Sequence, residues 1–172
     1  MQDTTNERSA ASDLDTIAKA VGLVVLQWGH AEQSLGLIVA LLWQSFDGKK
    51  YAKKIPFMFD PKIKFIRTHI ADDKRLKIHS ETANELLERF ENLSSLRHDL
   101  IHGAVASISP IDNSFVFAKL DIRDGFHYHR EVRIEVADYP KLVRKLGELG
   151  RDANALATQI FKVAKTSGPH IK

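Results

Sequence analysis

The stretch SLRHDLIHGAV, residues 95–105, gathers Arg97, His98 and His102 near the end of an amphipathic pattern that stops at Gly103. These residue types suit phosphodiester chemistry. An arginine can bind a phosphate bidentately and stabilise charge that develops on it. A histidine titrating near neutral pH can take the proton from the 2′-hydroxyl of RNA or give one to the leaving oxygen. No metal is needed for that reaction. The i,i+4 spacing of His98 and His102 also suits chelation. However, the helical metalloprotease pattern needs Glu directly after the first His, where Asp99 stands, and no third ligand is marked. His127 and His129 share a strand face, an ordinary surface arrangement. No metal site and no cofactor are therefore assigned. A glycine-rich phosphate loop and a nucleophile elbow are also missing.

At about 100° per residue, with Phe90 as zero, Arg97 falls at about −20°, inside the apolar stripe of its helix. His98 and His102 fall near 80° and 120°, on its flank. A buried guanidinium is costly without a partner. Glu32 offers one, because with Trp28 as zero it lies at about 40°, inside the apolar stripe of the first helix. The sequence thus predicts a Glu32–Arg97 ion pair. Two readings stay open: a pair that only sets helix register, or one that aims the guanidinium into a site.

The elements that position these residues follow from periodicity. Residues 1–11 are expected to form a disordered tail, with Ser12 capping a long first helix. Leu14, Ile17, Val21, Val24, Val25, Trp28, Leu35, Ile38 and Leu42 form its stripe to about Phe46. Gly22, Gly29 and Gly36 read as soft or close-packing points. Asp60-Pro61 marks the start of a second helix reaching about Ala71. Ser80 begins a third, which carries Ala83, Leu86, Leu87, Phe90, Leu93, Leu100 and Ile101 and ends at Gly103. The period then changes to two. Ala104–Ser109, Ser114–Leu120 and Phe126–Val136 read as antiparallel strands, with turns at Pro110–Asn113 and Asp121–Gly125. Asp138 caps a last helix running to Ser167-Gly168-Pro169. The fold class is mainly α, a helical bundle with a small antiparallel β insertion (about 104–136) before the last helix. The domain spans 12–167, and 168–172 form a C-terminal tail.

The 172 residues suit one domain. Cysteine is absent, which excludes disulfides and thiolate chemistry and fits a reducing cytoplasm. No signal peptide is visible at the start. Gln27, His30, Glu32 and Gln33 interrupt the most apolar stretch, so no membrane span is expected. The net charge of +3 is small, but residues 49–77 hold ten Lys or Arg against three Asp. Lys49, Lys50, Lys53, Lys54, Lys62, Lys64 and Arg67 are the candidates for contact with a phosphate backbone. A solvated lysine face is the plainer reading of the same run.

The run RHDLIHG resembles the signature of HEPN domains: Arg, four to six residues, then His, with a polar residue often directly after the Arg. Arg97 and His102 match the motif Arg and His, and His98 holds the polar position, where Asn or Asp is more frequent. The resemblance covers residues 12–167; the β insertion lies outside the minimal HEPN fold. It implies an up-and-down helical bundle that homodimerises, with two motif copies facing each other across one cleft. It also implies a metal-independent endoribonuclease, often a toxin or phage-defence effector. Arg97 would then bind the scissile phosphate, His102 act as general base or acid, His98 assist, and Glu32 orient Arg97. RNA is the expected partner, with an antitoxin or a nucleotidyltransferase-type protein as a further candidate. The alternatives are a non-catalytic HEPN-like interaction or scaffold module and a metal-dependent hydrolase using His98 and His102.

Overall fold

Helix α1 runs Asp3–Ser45, α2 Phe59–Asp72, α3 Ser80–His102 and α4 Tyr139–Thr166, with strands β1 Ala104–Ser109, β2 Ser114–Arg123 and β3 Phe126–Glu135 between the last two helices. This computed structural model describes residues 3–109 and 113–166. Among them the chain is mainly helical with one antiparallel sheet of order β1-β2-β3. None of the described helices is long and apolar enough to cross a membrane.

Helix α1 starts well before Ser12, which lies within it instead of capping it. Residues 3–13 contain neither Gly nor Pro, so no local signal stops the helix there. A Cβ at Gly22, Gly29 or Gly36 would meet nothing within 4 Å, so these glycines serve no close approach. Asp60 does not cap α2 either: Met58 precedes the first turn, without a side-chain bond, and Asp60 sits inside it. Of the turn expected at Pro110–Asn113, residues 110–112 lie outside the described residues, as does the expected tail at 168–172.

The chain divides into two compact units, residues 1–27 with 93–145 and residues 28–92 with 146–172. In the second unit the helices meet around aromatic rings. Trp28 of α1 lies 5.6 Å from Phe59 of α2 and 6.0 Å from Phe90 of α3, centroid to centroid. Ion pairs surround that core. Arg67 of α2 grips Glu91 of α3 through both terminal nitrogens, at 3.2 and 2.8 Å. Arg89 of α3 holds Asp152 of α4 at 2.6 Å. His69 is fully buried, with Nε2 2.7 Å from the Phe46 carbonyl. A carbonyl only accepts, so Nε2 carries the proton. Burial lowers the pKa of this ring and keeps it neutral.

The first unit is built on the sheet. Phe115 and Phe117 of β2 pair with Ile134 and Val132 of β3 and share one face with them. Phe115, Phe117 and Ile134 are buried, as are Leu100, Tyr139 and Leu142. A register shift between Val105 and Ser107 kinks β1. Strand β2 does not stop at Leu120 but continues to Arg123, and the turn is only Asp124-Gly125. Both have positive φ, 52° and 79°, which a two-residue hairpin of matching twist requires. Asp121, which suggested a turn, is tolerated in the strand because Lys119 and Arg130 pair with it.

Candidate active site

The last two turns of α3 carry Arg97, His98, Asp99 and His102. The helix closes with the Gly103 N–H donating to the Asp99 carbonyl at 2.8 Å. A Cβ on Gly103 would fall 2.5 Å from that carbonyl oxygen and 3.1 Å from Cβ of Phe117. Glycine is therefore what lets β2 lie directly against the helix end. This brings the polar end of one sheet face onto α3.

On that face, Lys119 and Arg130 stand directly opposite each other. Both reach for Asp99, which is 4% exposed. Arg130 Nη2 donates to Asp99 Oδ1, and Lys119 Nζ lies 3.8 Å from the same oxygen. Asp121 completes the cluster, 3.0 Å from Lys119 Nζ and 3.1 Å from Arg130 Nε. The Arg130 Nε contact is an ion pair without hydrogen-bond alignment, since that nitrogen has no hydrogen-bond acceptor. Two carboxylates and two cations thus compensate each other where a lone buried charge would be untenable.

The two histidines stand exposed beside this cluster, ring centroids 4.5 Å apart. Loss of hydration beside the sheet lowers the pKa of His98. Lys119, His102 and Arg97 push the same way by like charge, and Asp99 opposes them. His98 is thereby biased toward the neutral ring, the form that accepts a proton. Arg97 is half-buried on the same turn.

Of the expected catalytic residues, Arg97, His98 and His102 fall in one unit and Glu32 in the other. Within its own unit Glu32 accepts from Trp28 Nε1 at 3.0 Å, one turn back on α1, and from Lys62 Nζ of α2 at 3.5 Å. The expected RNA-binding set is also divided. Lys62 and Arg67 are held in ion pairs with Glu32 and Glu91, so they tie helices together. Lys50 is exposed and contacts Asp72 at 3.3 Å. Lys49, Lys53, Lys54 and Lys64 are exposed. Among the described residues no group of three or more His, Asp or Glu is placed to hold a metal ion.

Asp99, Lys119, Asp121 and Arg130 were not singled out as site residues from the sequence. Lys119 and Arg130 did leave a signal, since each interrupts an apolar alternation, Phe115–Phe117 on β2 and Val132–Ile134 on β3. No family model, curated protein or solved structure matches this chain.

Proposed function

We propose that the chain is a metal-independent endoribonuclease of HEPN type, its helices an up-and-down bundle, acting in the cytoplasm as a toxin or phage-defence effector. The observation that carries this reading is the placing of Arg97, His98 and His102 on the last two turns of α3, with the two imidazoles side by side and exposed. His98, biased neutral, sits next to a second histidine, and a base with an adjacent acid is what 2′-hydroxyl attack requires. One imidazole removes the 2′-hydroxyl proton, and the freed oxygen attacks the adjacent phosphorus. The 5′-oxygen leaves with a proton from the other imidazole. Arg97 binds the phosphate as its charge grows. The products are a 2′,3′-cyclic phosphate and a 5′-hydroxyl. A homodimer that faces two such motifs across one cleft, as the family resemblance implies, would double this set. An antitoxin would hold the activity in check.

A second reading is a non-catalytic HEPN-like interaction module. It is favoured by the exposed apolar side chains of the β2–β3 hairpin: Leu120, Ile122, Phe126 and Tyr128 are 50% to 68% exposed.

The test compares wild type with His102→Ala, in cells and purified. The ribonuclease reading expects arrested growth and fragmented RNA with wild type only. It also expects a rate loss of about 100-fold or more in the variant, the usual scale for acid–base catalysis. Fragments should end in cyclic phosphate, DNA should stay intact, and EDTA should have no effect. Equal behaviour of the two proteins would favour the interaction module. Cleavage abolished by EDTA would favour a metal-dependent hydrolase.

A further inference from the structure

A groove of about 590 Å³ opens in the helical unit between the segment after α1 and helix α2. Its size is that of small-ligand sites. Residues 61, 64, 65 and 68 line it at i, i+3, i+4 and i+7, so one face of α2 forms its wall. Pro56, Pro61 and Phe65 supply apolar surface, and Tyr51 supplies an aromatic ring that rests on His69 at 4.1 Å. Lys54 and Lys64 supply two cations. Among the described residues neither makes an ion pair, although Asp60 also lines the groove. Next along the chain from Pro56, Phe57 is 83% exposed. The groove lies within residues 49–77, where cations outnumber anions ten to three.

An unpaired cationic pair beside an apolar wall, with the exposed Phe57 ring next to it in the chain, matches a ligand that carries phosphate and a flat base on one short linker. We propose that this groove binds a segment of single-stranded RNA. Lys54 and Lys64 each hold a phosphate of the strand, the apolar wall receives a base, and Phe57 offers a second stacking surface. Thr68 on the same wall can donate a hydrogen bond to a phosphate oxygen. A duplex keeps its bases stacked on each other and cannot offer them to the wall. The choice of RNA rests on the ribonuclease reading, whereas the groove's preference for a phosphate beside a flat ring does not.

Binding of fluorescein-labelled single-stranded RNA is measured by anisotropy at several salt concentrations, in His102→Ala protein so that turnover plays no part. Adding Lys54→Ala with Lys64→Ala should weaken binding by at least about tenfold. It should also reduce the log–log salt slope by about 1 to 1.5, as expected for two lost phosphate contacts at about 0.7 each on a single strand. Phe57→Ala should weaken binding without changing that slope. The control removes equal charge at Lys162→Ala with Lys165→Ala and should change little. An equal loss in the control, an unchanged affinity in the groove variant, or equal affinity for a duplex would each overturn the proposal. So would an acidic, aromatic peptide bound in preference to RNA. RNA binding that follows the groove variants in a protein that never cleaves would sustain the groove and sink the nuclease. Cleavage by wild type with binding indifferent to Lys54 and Lys64 would do the reverse.

Discussion

Arg130 of β3 donates from Nη2 to Asp99, a carboxylate nine-tenths hidden at the end of α3. This bond joins the sheet to the helix that carries Arg97, His98 and His102. Asp99 is also what separates the charges of Lys119 and Arg130, which face each other across two strands. Asp99→Ala would leave two neighbouring cations with Asp121 alone. Breaking a buried pair costs about 3–5 kcal/mol. Arg130 is 37% exposed, so roughly 2–3 kcal/mol is expected here. Urea unfolding measures it. A change below about 0.5 kcal/mol would mean that Asp99 does not anchor the sheet.

The His98 ring should titrate below 6.5, because limited hydration and the cations Lys119, His102 and Arg97 disfavour its charged form. Lys119→Met removes one of those cations and should move the midpoint upward. NMR of the imidazole protons reads both midpoints without any assay of activity. A midpoint that stays put in Lys119→Met would show that the lysine does not tune the ring.

Glu32 has a carboxylate 34% exposed and the Lys62 side chain is 13% exposed. Glu32→Ala would remove the carboxylate that pairs with a mostly hidden Lys62 side chain and accepts from the Trp28 indole N–H. Partial exposure softens the penalty, so a loss of about 1–2 kcal/mol is expected, near the cost of one unsatisfied buried group. Trp28 fluorescence and chemical denaturation together report it.

His69 makes stability depend on pH. Its folded pKa lies below the usual 6.5 because burial disfavours the cation. The unfolded chain therefore binds more protons between the two values, and stability falls as pH drops below about 6.5. At neutral pH the contribution is fully present. His69→Gln keeps a donor for the Phe46 carbonyl and cannot ionise. The stability difference between wild type and this variant should shrink from pH 7 to pH 5. A constant difference over that range would show that His69 is not the titrating group.

The order of elements was written in the sequence, because each rests on neighbours in the chain. A 3.6-residue stripe over Ser80–His102 and alternation from Ala104 to Glu135 need no distant contact to be read. The placing of Arg97, His98 and His102 together on one helix end followed for the same reason. Errors came where a local cue competed with a context. Ser12 resembled a cap inside a segment with no breaker, and Asp121 resembled a turn where two cations hold it in a strand.

The tertiary structure alone decided what surrounds the histidines. A helical wheel assumes one buried face, and Asp99 lies about 180° from Phe90, opposite the apolar stripe. The end of α3 is covered there by the sheet, because Gly103 lets Phe117 approach the last turn. That second covered face buries Asp99, draws in Lys119 and Arg130, and lowers the pKa of His98. It also decided the partner of Glu32. Position on a stripe says that a carboxylate faces other helices, but only packing determines which cation is within reach, and that cation is Lys62.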